Sequence, residues 1–166
     1  MSPLDRTGLW RIASDTAAVD RFMSRYDVSA ARAILVGHAH YDHLMDVPRV
    51  ALAHAPGARI VGNRTVANTL GTWSGVGGRV DVVDDAAGDH ETPGRWLSYG
   101  PSVRVMPLRS DHAPHFEGLT LYEGRRARPL TEPPRTADEW LAGETLAYLV
   151  DFLAPDGSVA LDRKST

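Results

Sequence analysis

The fold is decided by one stretch, RAILVGHAHYDHLMDVPRV at residues 32–50, which joins a short apolar run to a cluster of histidines. The run is rich in apolar and β-branched side chains and ends at Gly37, a pattern typical of a strand buried on both faces. Directly after it, residues 38–43 contain three of the seven histidines and one aspartate. The stretch therefore predicts a strand that carries potential ligands at its carboxyl end.

Helical and extended patterns alternate around this stretch. A helix is predicted over residues 16–27, with Asp15 as its N-cap, and another has Asp46 as its N-cap and stops at Pro56 and Gly57. The strand ARIVGN, the helix RTVANTLGTW and the strand GRVDVVD then follow over residues 58–84. Alternating strands and helices predict βαβ units and a parallel sheet.

The second half of the chain changes to an antiparallel pattern, with strands predicted at five apolar runs. These runs are RWLSYG (95–100), SVRVMPL (102–108), LTLYEG (119–124), TLAYLVDFL (145–153) and SVALD (158–162). The turn-forming Pro-Asp-Gly at 155–157 separates the last two. The long, polar and Pro-rich segment 124–144 has a length that indicates either a functional or a disordered loop.

Composition and charge exclude several classes of protein. At 166 residues, with 43% hydrophobic and 23% charged residues, the chain has the size and balance of one globular domain. A net charge of −3 and a pI near 6.1 leave no electrostatic footprint for nucleic acid, and the basic run RRAR at 125–128 is expected to be a solvated loop. We therefore expect no nucleic-acid partner.

The absence of cysteine narrows the chemistry. Disulfides and thiolate metal sites are excluded, so any metal must bind histidine and carboxylate side chains. The first 15 residues lack the apolar core of a signal peptide, and no apolar run is long enough to span a membrane. The sequence therefore predicts a cytoplasmic protein.

Backbone geometry explains how residues 38–43 can converge on one point. In a helix, His38 and His40 would point about 200° apart. In extended chain they share a face, and a turn after them can bring Asp42 and His43 from a second direction. Ligands of open α/β sheets lie beyond the carboxyl ends of the strands, where this cluster falls. Since convergent imidazoles on a rigid backbone suit zinc, the cluster predicts a metal site.

The run HAHYDH matches the H-x-H-x-D-H signature of the metallo-β-lactamase superfamily, which the chain resembles over roughly residues 30–160. The resemblance implies an α/β fold of the αββα sandwich type. It also implies that His38 and His40 bind one metal with a later histidine, while Asp42 and His43 face a second metal. The expected metal is zinc, as one or two ions, with iron or manganese as alternatives.

The later histidine is expected after the strand SVRVMPL. His112 lies in the sequence HAP, which looks like the HTP or HSP of the superfamily, and His115 is the alternative. The resemblance implies hydrolysis of a small-molecule ester, amide, lactone or phosphodiester by a metal-activated water. Asp42 is implied to orient that water or to bind the second metal. The G-x-S-x-G motif of a serine hydrolase does not occur in the sequence.

Two departures from the family pattern predict a partial domain, truncated at both ends, over residues 1–166. About 30 residues precede the motif, where family members usually have a pair of strands. The chain stops at VALDRKST, so Asp162 is the nearby carboxylate for a metal bridge, and no histidine follows His115. The place of Asp162 early on its strand argues against a bridging role.

This shortness leaves two interpretations open. The chain is either a fragment that keeps the first metal site of a hydrolase, or a reduced domain that binds one metal without catalysis. A half-covered sheet would expose apolar surface that a homo-oligomer can bury. A nucleic-acid processor is a third class, and the acidic pI counts against it.

Other candidate residues carry structural expectations. His54 lies near the end of a predicted helix, where it can interact with the helix dipole. His90 is expected in solvent, and Asp111 is either an acceptor beside His112 or an ordinary loop residue. Core positions are expected for three tryptophans, Trp73, Trp96 and Trp140.

Overall fold

The structure is a computed structural model that describes residues 11–113 and 121–165, with the backbone alone for residues 162–165. Its helices are α1 (Thr16–Met23), α2 (Tyr41–Leu44), α3 (Val47–Arg49), which continues as a π-helical turn over Val50–His54, and α4 (Arg64–Leu70). Its strands are β1 (Ala33–Leu35), β2 (Arg59–Gly62), β3 (Val80–Val82), β4 (Leu97–Ser98), β5 (Val103–Arg109), β6 (Leu146–Leu153) and β7 (Val159–Ser165). Two 3₁₀ turns cover Gly77–Arg79 and Ala137–Glu139.

The residues at the start of α1 and α3 match the capping and first-turn preferences of helices only in part. The carboxylate of Asp15 accepts a hydrogen bond from the backbone N–H of Ala18, which confirms the predicted N-cap of α1. Pro48 lies in the first turn of α3 as predicted, but Asp46 makes no side-chain cap there and instead accepts from the Ser14 hydroxyl at 2.6 Å. Helix α1 ends at Met23, before the predicted end at residue 27.

The first sheet is parallel, in the order β1-β2-β3. Ile60 at its centre pairs with Ile34 on one side and with Val80 on the other. Helical segments connect the strands, so the predicted βαβ units are confirmed. Both faces of β1 are packed against apolar neighbours, although its three residues are each half-buried rather than fully buried as predicted.

The second sheet is antiparallel, in the order β4-β5-β6-β7. The register of β5 and β6 pairs Pro107 with Tyr148 and Arg109 with Leu146. The turn between β6 and β7 is the predicted Pro-Asp-Gly, where Gly157 takes a φ of 81° that favours glycine. The antiparallel second half of the chain is thereby confirmed.

The apolar core has two parts, one on each face of the parallel sheet. Ile60 belongs to the part that packs against the helices, and the neighbouring Val61 belongs to the part between the two sheets; both are fully buried. Leu44 of α2, Val47 of α3, and Val66 and Leu70 of α4 all lie in the first part. The chain is therefore a mixed α/β protein with a helical layer, a parallel sheet and an antiparallel sheet.

The strand predicted at LTLYEG is wrong over residues 121–124, and residues 119 and 120 lie outside the described part. Tyr122 has a φ of 57°, in the left-handed region that interrupts an extended chain. Its carbonyl accepts from the backbone N–H of Ala142 instead of pairing with a strand. Leu121 and Tyr122 lie half-buried in a bend, which strand propensity cannot distinguish from a short strand.

The segment 124–144 is largely irregular but has an ordered turn. Thr136 and Glu139 form a capping box around the 3₁₀ turn, and the following Trp140 is 1% exposed. Trp140 therefore occupies the predicted core, and the half-buried Trp73 packs against it with ring centroids 6.2 Å apart. Trp96 instead lies half-buried, with the guanidinium of Arg104 4.4 Å from the ring centroid.

Apolar side chains are exposed on the hairpin of β6 and β7. Phe152 is 42% exposed, Leu161 opposite it 45%, and Val159 48%. This agrees with the expectation of exposed apolar sheet surface, while the homo-oligomer that would bury it stays a prediction. In the described part of the chain, no helix has the length and apolar character needed to cross a membrane.

Arg79 ties the end of the π-helical turn to the start of β2, a role that the sequence did not suggest. Its guanidinium donates to the carbonyls of Ala51 at 2.8 Å, Ala55 at 2.6 Å and Ala58 at 2.6 Å. The last carbonyls of a helix lack partners within the helix, and a cationic donor satisfies them well.

Replacing Arg79 with methionine should lower the free energy of unfolding by about 2–3 kcal/mol, because its charge-assisted hydrogen bonds to the carbonyls of the buried residues Ala51, Ala55 and Ala58 are lost. Urea unfolding measures the change. Arg95→Met is the matched control, because the exposed guanidinium of Arg95 makes one long bond, 3.3 Å to the Asp85 carbonyl. Equal stability of the two variants would contradict the role assigned to Arg79.

Candidate metal site

The carboxyl end of β1 delivers the first two histidines. The backbone N–H of Val36 still donates to the Val61 carbonyl at 2.9 Å, and the chain bends at Gly37. His38 and His40 follow this bend with their ring centroids 4.6 Å apart, and α2 begins directly after His40, whose own backbone is extended. The two histidine rings therefore lie side by side with a helical turn after them, as predicted, although the chain that carries them bends at Gly37.

Three histidines from two strand ends converge. The Nε2 atoms of His38 and His112 are 3.0 Å apart, and a ligand nitrogen from each of His38, His40 and His112 lies within 4.8 Å of the other two. His112 follows the end of β5, so the antiparallel sheet supplies the third ring. His38 and His40 are 7% and 2% exposed, and His112 is half-buried. The structure thus brings together the three residues predicted for the first metal.

The spacing and the hydrogen bonds of these rings fit a metal ion. Two nitrogens bound to one tetrahedral zinc at about 2.0–2.1 Å lie about 3.3 Å apart, close to the 3.0 Å between His38 and His112. A carbonyl can only accept, so the contact of His112 Nδ1 with the Ala113 carbonyl at 2.6 Å places the proton on Nδ1. A neutral His112 ring then presents the lone pair of Nε2 to the site.

His40 is oriented in the same way by a carbonyl far away in sequence. Its Nε2 lies 3.2 Å from the carbonyl oxygen of Tyr122, which makes Nε2 the donor and leaves Nδ1 as the unprotonated nitrogen of a neutral ring. Metal-binding histidines commonly donate their other N–H to such an acceptor, which fixes the tautomer. The sequence had no signal for this contact, because Tyr122 was predicted to lie in a strand.

Asp42 and His43 lie at the outer side of the site. His38, Asp42 and His43 form a second group whose ligand atoms lie within 4.8 Å of one another. The side chains of Asp42 and His43 are 57% and 50% exposed, and the Asp42 carboxylate is 3.7 Å from His43 Nε2. Because both groups need His38, the described residues provide for one fully ligated ion rather than two separate ones.

A cavity of about 560 Å³ opens beside the histidines. Leu146 and Tyr148 of β6 form part of its wall, and His38 and His112 border it. Asp42 and Asp111 supply carboxylates to the lining, whereas no Lys or Arg from the described residues contributes to it. The cavity therefore has a neutral-to-acidic wall around the candidate ligands.

The backbone on either side of His38 is held by the segment 142–146, here called the strap. The N–H of Ala39 donates to the Ala142 carbonyl at 2.8 Å, and the Gly37 carbonyl accepts from Leu146 N–H at 2.7 Å. Gly143 in the strap has a φ of 70°, and a Cβ there would lie 2.6 Å from the Asn63 side chain. The strap thus requires glycine at this position and restrains the first ligand.

Asn63 anchors the strap from the parallel sheet. Its side chain is fully buried, and its Nδ2 donates to the carbonyls of Ala142 at 3.2 Å and Glu144 at 2.5 Å. Its Oδ1 accepts from Val66 N–H at 2.9 Å and caps α4. An asparagine directly before a predicted helix could have indicated the cap, but its bonds to the strap depend on the tertiary fold.

The other candidate residues have separate environments. His54 lies at the end of the π-helical turn as expected, but its close partner is the carboxylate of Asp20, at 2.8 Å, rather than the helix dipole alone. Arg49 and His54 together hold the pKa of Asp20 well below its usual range. The side chain of His90 is 89% exposed, which confirms its solvent position.

The remaining predictions concern Asp111, His115, Asp162 and the basic run. Asp111 is exposed and borders the cavity. His115 and the side chain of Asp162 lie outside the described part, although the backbone of Asp162 pairs with Asp151 on β6. The expected solvated loop at 125–128 is partly engaged, since Arg125 pairs with Glu144 and Arg126 donates to the Glu139 carbonyl.

No family model matches the sequence, and no curated protein or solved structure matches it either. The geometry of the site is therefore the basis for inferring its function.

Proposed function

We propose that this chain is a metal-dependent hydrolase of the metallo-β-lactamase type, in which His38, His40 and His112 hold one zinc ion. The convergence of these three rings carries the proposal, since each position was expected from the sequence and they meet beside a cavity. The facing sheets with helices on the outer side of one of them support a partial αββα sandwich.

The residues of the site have distinct roles in this proposal. A zinc ion held by the three histidines would supply a water acidic enough to ionise near neutral pH. His40 and His112 keep their second nitrogens protonated toward the carbonyls of Tyr122 and Ala113, so their rings stay aimed at the centre of the site. Asp42 faces the cavity with an accessible carboxylate that can accept a hydrogen bond from a water in the site and so orient it.

The charge of the cavity wall narrows the substrate class. Asp42 and Asp111 would repel an anionic substrate, and the described lining has no Lys or Arg to bind one. An uncharged ester, amide or lactone is therefore favoured over a phosphodiester. Iron or manganese remains an alternative to zinc, because histidine and carboxylate ligands accept all three.

A non-catalytic metal-binding domain is the second candidate. It is favoured because both groups of potential ligands depend on His38. Asp42 and His43 are exposed, and their group needs the same His38 that the three-histidine group uses. A two-metal mechanism therefore lacks ligands among the described residues. In this case, the chain would bind one ion without turnover.

Metal content and hydrolysis together test the proposal. Purified protein reconstituted with zinc should contain close to one ion per chain by elemental mass spectrometry. It should also hydrolyse p-nitrophenyl acetate or an uncharged lactone faster than a zinc-only blank, with bis(p-nitrophenyl) phosphate slower. One bound ion without turnover would support the non-catalytic alternative, and no bound ion after reconstitution would reject both.

A further inference from the structure

Strand β6 contacts both strands that end at the candidate site. It pairs with β5 along its length, and Leu146 and Tyr148 lie opposite Arg109 and Pro107 near the end of β5 that precedes His112. Tyr148 also reaches across to the other sheet, where its hydroxyl lies 2.8 Å from the Val36 carbonyl and 3.2 Å from the Val61 carbonyl. One side chain thus connects the two sheets close to the histidines.

Of the two hydrogen bonds of the Tyr148 hydroxyl, the one to the Val36 carbonyl bears on the position of His38. A hydroxyl has one hydrogen to donate, and the shorter distance assigns it mainly to Val36. The Val61 carbonyl already accepts from Val36 N–H at 2.9 Å. The Val36 carbonyl lies past the end of β1 and two residues before His38, so its position governs where the first ligand falls.

We propose that Tyr148 is a positioning residue, whose hydroxyl holds the end of β1 against β6 and thereby sets the separation of His38 and His112. This role rests on the proposed metal site. Tyr148 carries out no step of the chemistry, and it acts through the backbone of Val36.

The environment of Tyr148 suits this role. The residue is 3% exposed, and burial raises the pKa of its hydroxyl, so the hydroxyl keeps its proton throughout the neutral range. Its ring packs between the sheets with Val61 and Val105. Removing the hydroxyl while keeping the ring should therefore preserve the core and leave the Val36 carbonyl without this donor.

The test compares Tyr148→Phe with Tyr99→Phe. Tyr99 is a second buried tyrosine, 8% exposed, whose hydroxyl bonds to Asp81 of β3. Burial and the negative charge of Asp81 raise the pKa of Tyr99 to about 12. Both variants lose one buried hydroxyl, but the Tyr99 hydroxyl bonds to Asp81, whereas the Tyr148 hydroxyl bonds to the Val36 carbonyl at the end of β1. A general loss of stability should affect both variants alike.

Two measurements are made on the full chain. Zinc affinity is measured by competition with a chelator, and the ring ¹⁵N shifts of the histidines are recorded without metal. We expect Tyr148→Phe to weaken zinc binding at least about 10-fold, the range for partners outside the ligand set, and to shift the His38 and His112 resonances. Tyr99→Phe should leave the affinity within about 2-fold and those resonances in place.

A restored donor provides the rescue. p-Aminophenylalanine at position 148 should recover the wild-type zinc affinity, because its amino group can donate to the Val36 carbonyl. If Tyr148→Phe fails to fold, p-methylphenylalanine, which fills the space of the hydroxyl without a donor, takes its place in the comparison. Equal zinc affinities and equal histidine shifts for the two phenylalanine variants would overturn the proposal.

The two proposals can fail separately. If wild-type protein binds no zinc, the metal site is wrong, and the shifts without metal then decide whether Tyr148 positions the histidines. Shifts confined to the Tyr148 variant would support the positioning role even then. If wild-type protein binds zinc and the Tyr148 variant binds it equally well, only the positioning role is lost.

Discussion

His38→Ala should eliminate measurable zinc binding, with a loss of affinity greater than about 100-fold, which exceeds the effect of removing partners outside the ligand set. His38 is the residue shared by both groups of potential ligands, so its removal leaves neither group with three. Elemental analysis and chelator competition measure the loss. Hydrolysis above the zinc-only blank should disappear with the metal.

Two histidine variants control this result. His90→Ala removes a histidine with an 89% exposed side chain and should leave metal content unchanged. His43 belongs only to the group of His38, Asp42 and His43. His43→Ala should therefore lower the zinc affinity of the three-histidine site by less than about 10-fold. A His38 variant that still binds one zinc tightly would show that the three-histidine site is not the metal site.

Asn63→Asp should lower the free energy of unfolding by about 3 kcal/mol or more at neutral pH. The replacement keeps an oxygen that can cap α4 but loses the N–H donors to Ala142 and Glu144. It also places a carboxylate against two carbonyl oxygens in a fully buried position, which is costly because neither side can donate. Urea unfolding measures the change, and zinc affinity should fall about 10-fold as the strap loosens.

Asn68→Asp is the matched control for that variant. Asn68 lies on the same helix, is 9% exposed, and donates through Nδ2 to the Arg126 carbonyl at 2.6 Å, away from the strap. Both variants should be destabilised, but only the change at Asn63 should weaken zinc binding in folded protein. Equal zinc affinity in the two variants would contradict the role of the strap.

Much of the architecture was predictable because the signals are short-range. The cap at Asp15, the turn at 155–157 and the apolar run before Gly37 each depend on neighbouring residues. The run at 119–124 shows the limit of such signals. Tyr122 adopts a left-handed backbone, and its carbonyl is used by Ala142 and His40. An apolar run alone does not reveal these distant partners.

The convergence of the three histidines likewise depends partly on local spacing and partly on tertiary structure. The spacing of His38 and His40 was enough to place both on one face, since extended chain repeats every two residues. The choice of His112 came from a short motif, and its approach to 3.0 Å depends on the register of β5 with β6 and on the contacts of β6 with β1. His115 lies outside the described residues.

Residues 32–50 contain in their own order the strand, the histidine pair and the following helix, because periodicity, capping and turn preferences act over a few residues. The side chains that hold the site and its surroundings in place instead bond to carbonyls far away in sequence. Arg79 reaches carbonyls 21 to 28 residues away, Asn63 bonds to carbonyls 79 and 81 residues away, and Tyr148 bonds to one 112 residues away. Such partners are chosen by how the sheets pack, since a buried donor must be satisfied by whichever acceptor the folded chain brings within reach.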